Sequence, residues 1–220
     1  KMTFGESDTS SIQIFSKERV HVDYLVALPE EIGSPSQYST LVALFAFAEE
    51  GDTITLEINN GGGYLNIAFE IADQFLNDGK LIVYTEGLKS PKKTYNATSR
   101  GEFEKGRVIV LIDEGSASAS EIVSGAMQDW DRALLIGRRT FGKGLVQNQF
   151  NLPDGSAMRL TIAKYYTPVG RCIQKPYNGK IENYYKDLNN RFKHGELTNV
   201  DSIKFPDSLK YSTPNNKIVY

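Results

Sequence analysis

The sequence predicts an α/β domain built on a largely parallel central sheet flanked by helices, with a β-hairpin and a C-terminal extension added to it. Three observations predict it. Short apolar runs alternate with segments of helical periodicity. At two places, Asn59–Gly63 and Asp113–Ser118, a glycine- or serine-rich turn passes an apolar run directly into a helical segment. The length, 220 residues, suits one sizeable hydrophobic core.

The elements follow in order. Val20–Leu28 reads as a strand, and Leu41–Ala48 as a short amphipathic core helix that ends at Glu49-Glu50. Thr53–Asn59 is a strand candidate. Leu65–Leu76 is a helix with Leu65, Ala68, Phe69, Ala72 and Phe75 on one face. Leu81–Tyr84 is a strand candidate, and the polar stretch Lys89–Lys105, with Pro91, is an exposed loop or hairpin. Val108–Ile112 is a strand. The helix after it carries Ala119, Ile122, Val123 and Ala126 at i, i+3, i+4, i+7 spacing. Ala133–Ile136 is a further strand candidate. Gln147–Leu152 and Met158–Tyr165 flank Pro153-Asp154-Gly155 as a hairpin. From about Lys175 the composition shifts to Tyr, Asn and charge, with Pro176, Pro206 and Pro214. Asn183–Phe192 fits a short helix. The final dozen or so residues either pack on the core or are disordered.

Composition narrows the function. Hydrophobic content of 40%, charged content of 24% and a formal net charge of −2 give no electrostatic reason to expect nucleic acid or an anionic membrane. Cys172 stands alone, which excludes an intrachain disulfide, and it reads as a packed or idle thiol. No metal-ligand cluster and no cofactor motif appears. The glycine turn lacks the G-x-G-x-x-G spacing and the P-loop Lys and Ser/Thr, which sets nucleotide binding aside. No apolar stretch of about 20 residues predicts a membrane-spanning helix, and the first residues do not read as a signal peptide.

The chemistry-bearing stretch is DEGSASASEIVSGAMQDWDRALLIGRRTFGKGLVQ, Asp113–Gln147. A serine at its strand-to-helix turn lies where backbone N–H groups and the helix dipole face an anion. Ser118-Ala119-Ser120-Glu121 also matches a capping box, and Ser116 can cap as well, so both readings stand. The two histidines, His21 and His194, are far from this stretch in sequence. If Ser118 is a nucleophile, Lys143 between two glycines is the candidate base. A lysine serves only when neutral, so burial is expected, with Phe141 and Leu145 as its apolar wall. Asn59-Asn60-Gly61-Gly62-Gly63 reads either as a tight βα turn or as a source of oxyanion-stabilising N–H groups from Gly62 or Gly63 beside that of Ala119. Asp129, eleven residues after Ser118 (129 − 118), reads as helix-end solvation or an ion pair with Arg132.

DEGSASASEI, Gln128-Asp129, GRRTFGKGLVQ, LPDGSAMRLTIAKYYTPVGRCIQ and GGGYLNIAFEIADQFL together resemble the C-terminal processing peptidases, or tail-specific proteases, from about Gly61 to Val219. The resemblance implies a serine–lysine peptidase of Clp/crotonase-like fold. Ser118 would be its nucleophile, Lys143, 25 residues on (143 − 118), its base, and Gln147 a residue that helps orient the base. A regular strand spans about 13 Å over four residues, so Gln147 needs a bend to reach Lys143. ITLEINNGGGYL and the segment from Val20 to Leu56 look more like Clp-type proteases. The family's Asp-x-Arg before the glycine turn is replaced by Leu56 and Ile58, and no PDZ domain is visible. This divides the expected core, residues 1–175, into a Clp-like portion 1–60 and a processing-peptidase-like portion 61–175, followed by an extension, 176–220. Unfolded protein tails or peptides are the implied substrates and a homo-oligomer is a possible assembly. The resemblance implies the cell envelope or periplasm, with the cytoplasm as the alternative. The rival readings are a crotonase-like acyl-CoA enzyme, for which no CoA pocket is visible, and an inactive assembly or peptide-binding module.

Overall fold

In the computed structural model, which describes residues 2–3, 13–15, 22–28, 35–177 and 181–220, the alternating signals resolve into two larger sheets with helices between them and a small two-stranded one. The strands are β1 (Met2–Thr3), β2 (Gln13–Phe15), β3 (Asp23–Ala27), β4 (Thr53–Glu57), β5 (Leu81–Gly87), β6 (Ser90–Asn96), β7 (Arg107–Ile112), β8 (Leu134–Gly137), β9 (Leu145–Asn151), β10 (Ala157–Tyr166), β11 (Tyr211–Ser212) and β12 (Ile218–Val219). The helices are α1 (Pro35–Phe47), α2 (Leu65–Asp73), α3 (Ala119–Asp129) and α4 (Ile181–Lys193). Of the predicted first strand, Val20 and His21 lie outside the described residues.

The first sheet has the order β1-β2-β3-β4-β7-β8. Its pairings β3–β4, β4–β7 and β7–β8 are parallel, while β1–β2 and β2–β3 are antiparallel. Parallel neighbours need a crossover. Here α1 joins β3 to β4, and α3 joins β7 to β8. In β4 the alternation of the sequence buries Ile54 and Leu56 on one face, and Val108 and Val110 do the same in β7.

Leu81–Tyr84 does not belong to this sheet. It opens β5, which continues to Gly87 and turns back at Leu88-Lys89 into β6. The polar segment after residue 89 is thus the outer arm of a hairpin. Its lysines and Pro91 lie on an edge strand, where they discourage further pairing. β5 and β6 join the predicted hairpin β9–β10 in a second, antiparallel sheet of order β6-β5-β10-β9. α2 and α3 touch each other and both touch β5, so they are packed between the sheets. Phe45, Phe75 and Phe103 meet edge-on in the core, and Ile58, Ile71, Leu76, Ile82 and Met127 are fully buried around them. Each such side chain contributes about 1.5–3 kcal/mol.

Described residues of the C-terminal extension touch this core, Arg191 at the Thr140 carbonyl and Lys217 at Asp131. α4 covers the predicted Asn183–Phe192, and β11 pairs with β12 to bury Val219. Among the described residues, no helix is long and apolar enough to cross a membrane.

Two charged residues at the end of α3 have other partners than expected. Arg132 donates to the carbonyl oxygens of Phe75, Gly106 and Phe103 at 2.8, 2.9 and 2.8 Å, and its burial brings the guanidinium down to about 10. Asp129, completely buried, instead pairs with Arg171 and accepts the Val169 N–H at 3.0 Å. It therefore fastens the segment after β10 to α3. Breaking a buried pair leaves one charge uncompensated, so Asp129→Asn should cost about 3 kcal/mol of stability in a urea melt. A change under about 1 kcal/mol would mean that Arg171 finds another acceptor or water.

Candidate active site

β4 and β7 are adjacent and parallel, so the turns that follow them meet at one edge of the sheet. The carboxyl ends of parallel strands are where open α/β sheets bind ligands. The glycine turn after β4 and the serine turn after β7 are interlocked by Asn60. Its carbonyl accepts the Ala117 N–H at 3.0 Å, and its side-chain oxygen accepts from the Ser120 hydroxyl at 2.5 Å and the Gly62 N–H at 3.0 Å.

The three serines separate cleanly. Ser116 is fully buried, donates to the Ile58 carbonyl and accepts the Asp113 N–H at 3.0 Å. Ser120 is fully buried against Asn60. Ser118 alone is half-buried, and it lines a cleft of about 690 Å³ with Gly61, Gly62, Gly63, Tyr64, Lys143 and Arg159. Its backbone has φ 57° and ψ −112°, where a helix-capping serine ordinarily adopts extended values. Holding a non-glycine residue there costs on the order of 1–3 kcal/mol, and such strain gathers at functional sites. The Glu121 N–H turns to the Ser118 carbonyl at 3.0 Å.

Gly62 makes this approach possible. It has φ +104°, and a Cβ there would stand 2.6 Å from the Ser118 Cβ and 2.7 Å from the Ala117 carbonyl oxygen. Gly62→Ala should therefore lower stability by about 2–4 kcal/mol, from strain and overpacking together. The folded fraction should also label poorly at Ser118 with a fluorophosphonate. Wild-type labelling in a stably folded variant would show that the two turns can separate without loss. Gly62 is not a free donor, however: its N–H is directed into Asn60. Gly63, in the cleft lining, and Ala119, whose N–H opens α3 and by position has no intrahelical acceptor, remain the candidate oxyanion donors.

Lys143 lies on a segment, 139–144, whose backbone is fixed from several sides. Phe141 N–H donates to the Ser116 carbonyl at 2.9 Å, and the Gly142 carbonyl accepts from Lys175 N–H at 3.0 Å. The buried carboxylate of Glu121 accepts the Gly142 and Lys143 N–H groups at 2.6 and 2.8 Å. Gln174 Oε1 accepts the Gly144 N–H at 3.0 Å, and a Cβ on Gly144 would meet Gln174 N at 2.6 Å. From α4, the buried guanidinium of Arg191 donates to the carbonyls of Thr140 and Arg139 at 3.2 and 2.5 Å. These fastenings were missed in the sequence. Glu121 was visible only as half of a capping box, and Gln174 only as the last letter of GRCIQ.

The side chain of Lys143 departs from expectation. It is exposed, and the anticipated apolar wall lies elsewhere: Phe141 stacks edge-on against Tyr184, with Lys175 Nζ 4.0 Å from its ring centroid. Leu145 is half-buried as the first residue of β9. Gln147 is exposed on β9, and its amide donates to Thr161 Oγ1 at 3.4 Å across the hairpin. Cys172 is exposed, with its thiol on the Gln174 carbonyl at 3.6 Å. His194 is a surface residue on the Asn190 carbonyl, while His21 lies outside the described residues. Among the described residues, no group of three or more His, Cys, Asp or Glu side chains could hold a metal ion. Arg159 and Tyr64 line the cleft without having been singled out in the sequence.

The arrangement can be compared with known proteins. The model of peptidase family S41 matches residues 58–183, more than half of the chain and the whole of the two turns, the cleft lining and the 139–144 segment. A carboxyl-terminal-processing protease of Picosynechococcus sp. is 45% identical over 117 residues, which is 53% of this chain and 28% of that protein. A carboxy-terminal-processing protease of Bartonella bacilliformis is 48% identical over 116 residues, 52% of this chain and 26% of that protein. The chain thus spans between a quarter and a third of these relatives. Among solved structures, a photosystem II D1 C-terminal processing protease superposes with a TM-score of 0.62 at 30% identity, covering 69% of this chain and 39% of that one. Mature CPAF covers 96% of this chain and 58% of its own with a TM-score of 0.55. At 13% identity that likeness speaks for the fold alone.

Proposed function

This chain belongs to peptidase family S41, and from that membership we propose that it carries a serine endopeptidase centre with Ser118 as nucleophile and Lys143 as general base. The observation that carries the proposal is the separation of the serines. Of the three in the turn, Ser118 alone faces the cleft, in a strained backbone conformation, beside Gly63, Ala119 and Lys143.

Peptide cleavage at such a centre needs few parts. The neutral Lys143 amine takes the Ser118 hydroxyl proton as Oγ attacks the scissile carbonyl carbon. The oxyanion of the tetrahedral intermediate is met by the N–H groups of Ala119 and Gly63, with the positive end of α3 behind them. The C–N bond then breaks, and the leaving amine takes the proton from the Lys143 ammonium. Water, deprotonated by the Lys143 amine, attacks the acyl carbonyl; the C–Oγ ester bond breaks and Ser118 Oγ regains its proton from the Lys143 ammonium.

An unfolded tail is the substrate that fits this site. β9 is an edge strand of the second sheet and begins two residues after Lys143, so an extended peptide can add to it as a further strand. A peptide lying there also covers the exposed Lys143 amine and supplies the desolvation that a neutral amine requires. Gln147, exposed on that strand, is available to contact the peptide as well as to orient the base. The test is labelling with a fluorophosphonate followed by peptide mapping. Modification confined to Ser118 supports the proposal, and an unlabelled folded protein removes it.

A further inference from the structure

The Glu121 carboxylate is buried beneath the cleft, with 5% of its surface exposed, and it accepts four hydrogen bonds. Oε2 takes the backbone N–H groups of Ser118 at 2.9 Å and Lys143 at 2.8 Å. Oε1 takes the Thr140 hydroxyl at 2.7 Å and the Gly142 N–H at 2.6 Å. All four partners are donors, so they match the acceptor capacity of an ionised carboxylate and of no neutral side chain of that size. A helix cap needs only the first of them. The other three come from a segment 19 to 22 residues away in sequence.

From this geometry we propose that Glu121 is the positioning residue of the Ser118–Lys143 pair: a single oxygen holds the main chain of the nucleophile and the main chain of the base in one register. The inference rests on the serine–lysine reading above and deepens it. Because the Lys143 side chain is exposed, its Nζ is not placed by packing. Its reach toward Ser118 is set by where its backbone is held, and Glu121 holds it relative to the residue it must deprotonate. Gln174 on the Gly144 N–H secures the same segment from the opposite side but has no bond to the nucleophile's turn. Burial pushes the Glu121 carboxyl upward, and the bonds from Thr140, Lys143, Gly142 and Ser118 oppose that shift. The carboxylate is therefore kept in a costly place for the bonds it makes there.

Glu121→Gln preserves shape while replacing one acceptor oxygen by a donor: with the amide N toward Ser118 and Lys143 both of those bonds are lost, and with it toward Thr140, whose hydroxyl can turn to accept, the Gly142 bond is lost. Steady-state kinetics on an unfolded protein or a peptide derived from it should show kcat reduced roughly 30-fold or more with KM within about threefold, because only the reacting pair is misplaced. The rate of fluorophosphonate labelling at Ser118 should fall by a similar factor. Melting curves establish that the variant is folded at the assay temperature. If it is not, Thr140→Val, which strips one bond from the same carboxylate, should lower kcat about threefold at unchanged KM. Ser118→Ala and Lys143→Arg are measured in parallel. If either retains activity, the serine–lysine reading itself fails. If both are inactive while folded Glu121→Gln, or Thr140→Val in its place, keeps the wild-type kcat, only the positioning role is overturned.

Discussion

Ser118→Ala should abolish cleavage of an unfolded protein such as casein, lowering kcat by about 10⁴-fold or more, since nothing else in the cleft can form the acyl-enzyme. Stability should hardly change. Ser118 is half-buried, and the bond that anchors its turn runs from its N–H to Glu121, which alanine retains. Its neighbours should behave in the opposite way. Ser116→Ala and Ser120→Ala each remove a buried hydroxyl that satisfies Ile58 or Asn60, which costs about 1–3 kcal/mol. The fraction that remains folded should keep kcat within about threefold of wild type, because neither hydroxyl faces the cleft. Casein hydrolysis normalised to folded protein, with urea melts alongside, reads both quantities. Equal loss of activity from all three variants would mean that the serines act only as caps and struts of the turn, and the nucleophile assignment would fall.

That contrast also marks how far the sequence could be read. The order of strands and helices was legible because each element announces itself within a dozen residues: alternation in Thr53–Asn59, an i, i+3, i+4, i+7 stripe after Ser118. The two turns at the carboxyl ends of β4 and β7 were legible for the same reason, as glycines and serines between strand and helix. Sheet membership was not. Leu81–Tyr84 looks like any short buried strand, and its place in the second sheet depends on β10, some eighty residues later in the chain. Glu121 shows the same limit within the site. Its position three residues after Ser118 reveals the local bond, whereas the bonds to Thr140, Gly142 and Lys143 arise only when the segment after β8 folds back over α3. Asp129 reads in the sequence as helix-end solvation or an ion pair with Arg132, its neighbour in sequence, and in the structure it pairs with Arg171, its neighbour in space. The burial of Lys143 failed as an expectation because it was inferred from flanking residues. Phe141 and Lys143 are two apart, a spacing that would put them on one face of a regular strand, but Gly142 between them has φ +83° and breaks that alternation, so Phe141 turns to Tyr184 and Lys175 while Lys143 turns to the cleft.

Lys143→Arg should be as inactive as Ser118→Ala, and Lys143→Met with it, yet neither should destabilise the protein. The amine is exposed and, among the described residues, enters no ion pair, so either substitution should shift a urea melt by no more than about 0.5 kcal/mol. A lysine buried and neutral in the resting protein would behave differently, because methionine would relieve its desolvation and stabilise the fold. The arginine variant isolates the chemistry. It keeps a positive charge and a side chain of similar reach, but its guanidinium, with a pKa above about 12, does not surrender its proton to become a base. If Lys143 acted only by attracting a carboxylate or steadying an oxyanion, arginine would preserve much of the rate. If it removes the Ser118 proton, arginine should leave less than about 10⁻³ of wild-type kcat, the scale on which losing a general base is felt. Residual activity above about a tenth in Lys143→Arg would therefore transfer the base to another group, even with Ser118 proven as the nucleophile.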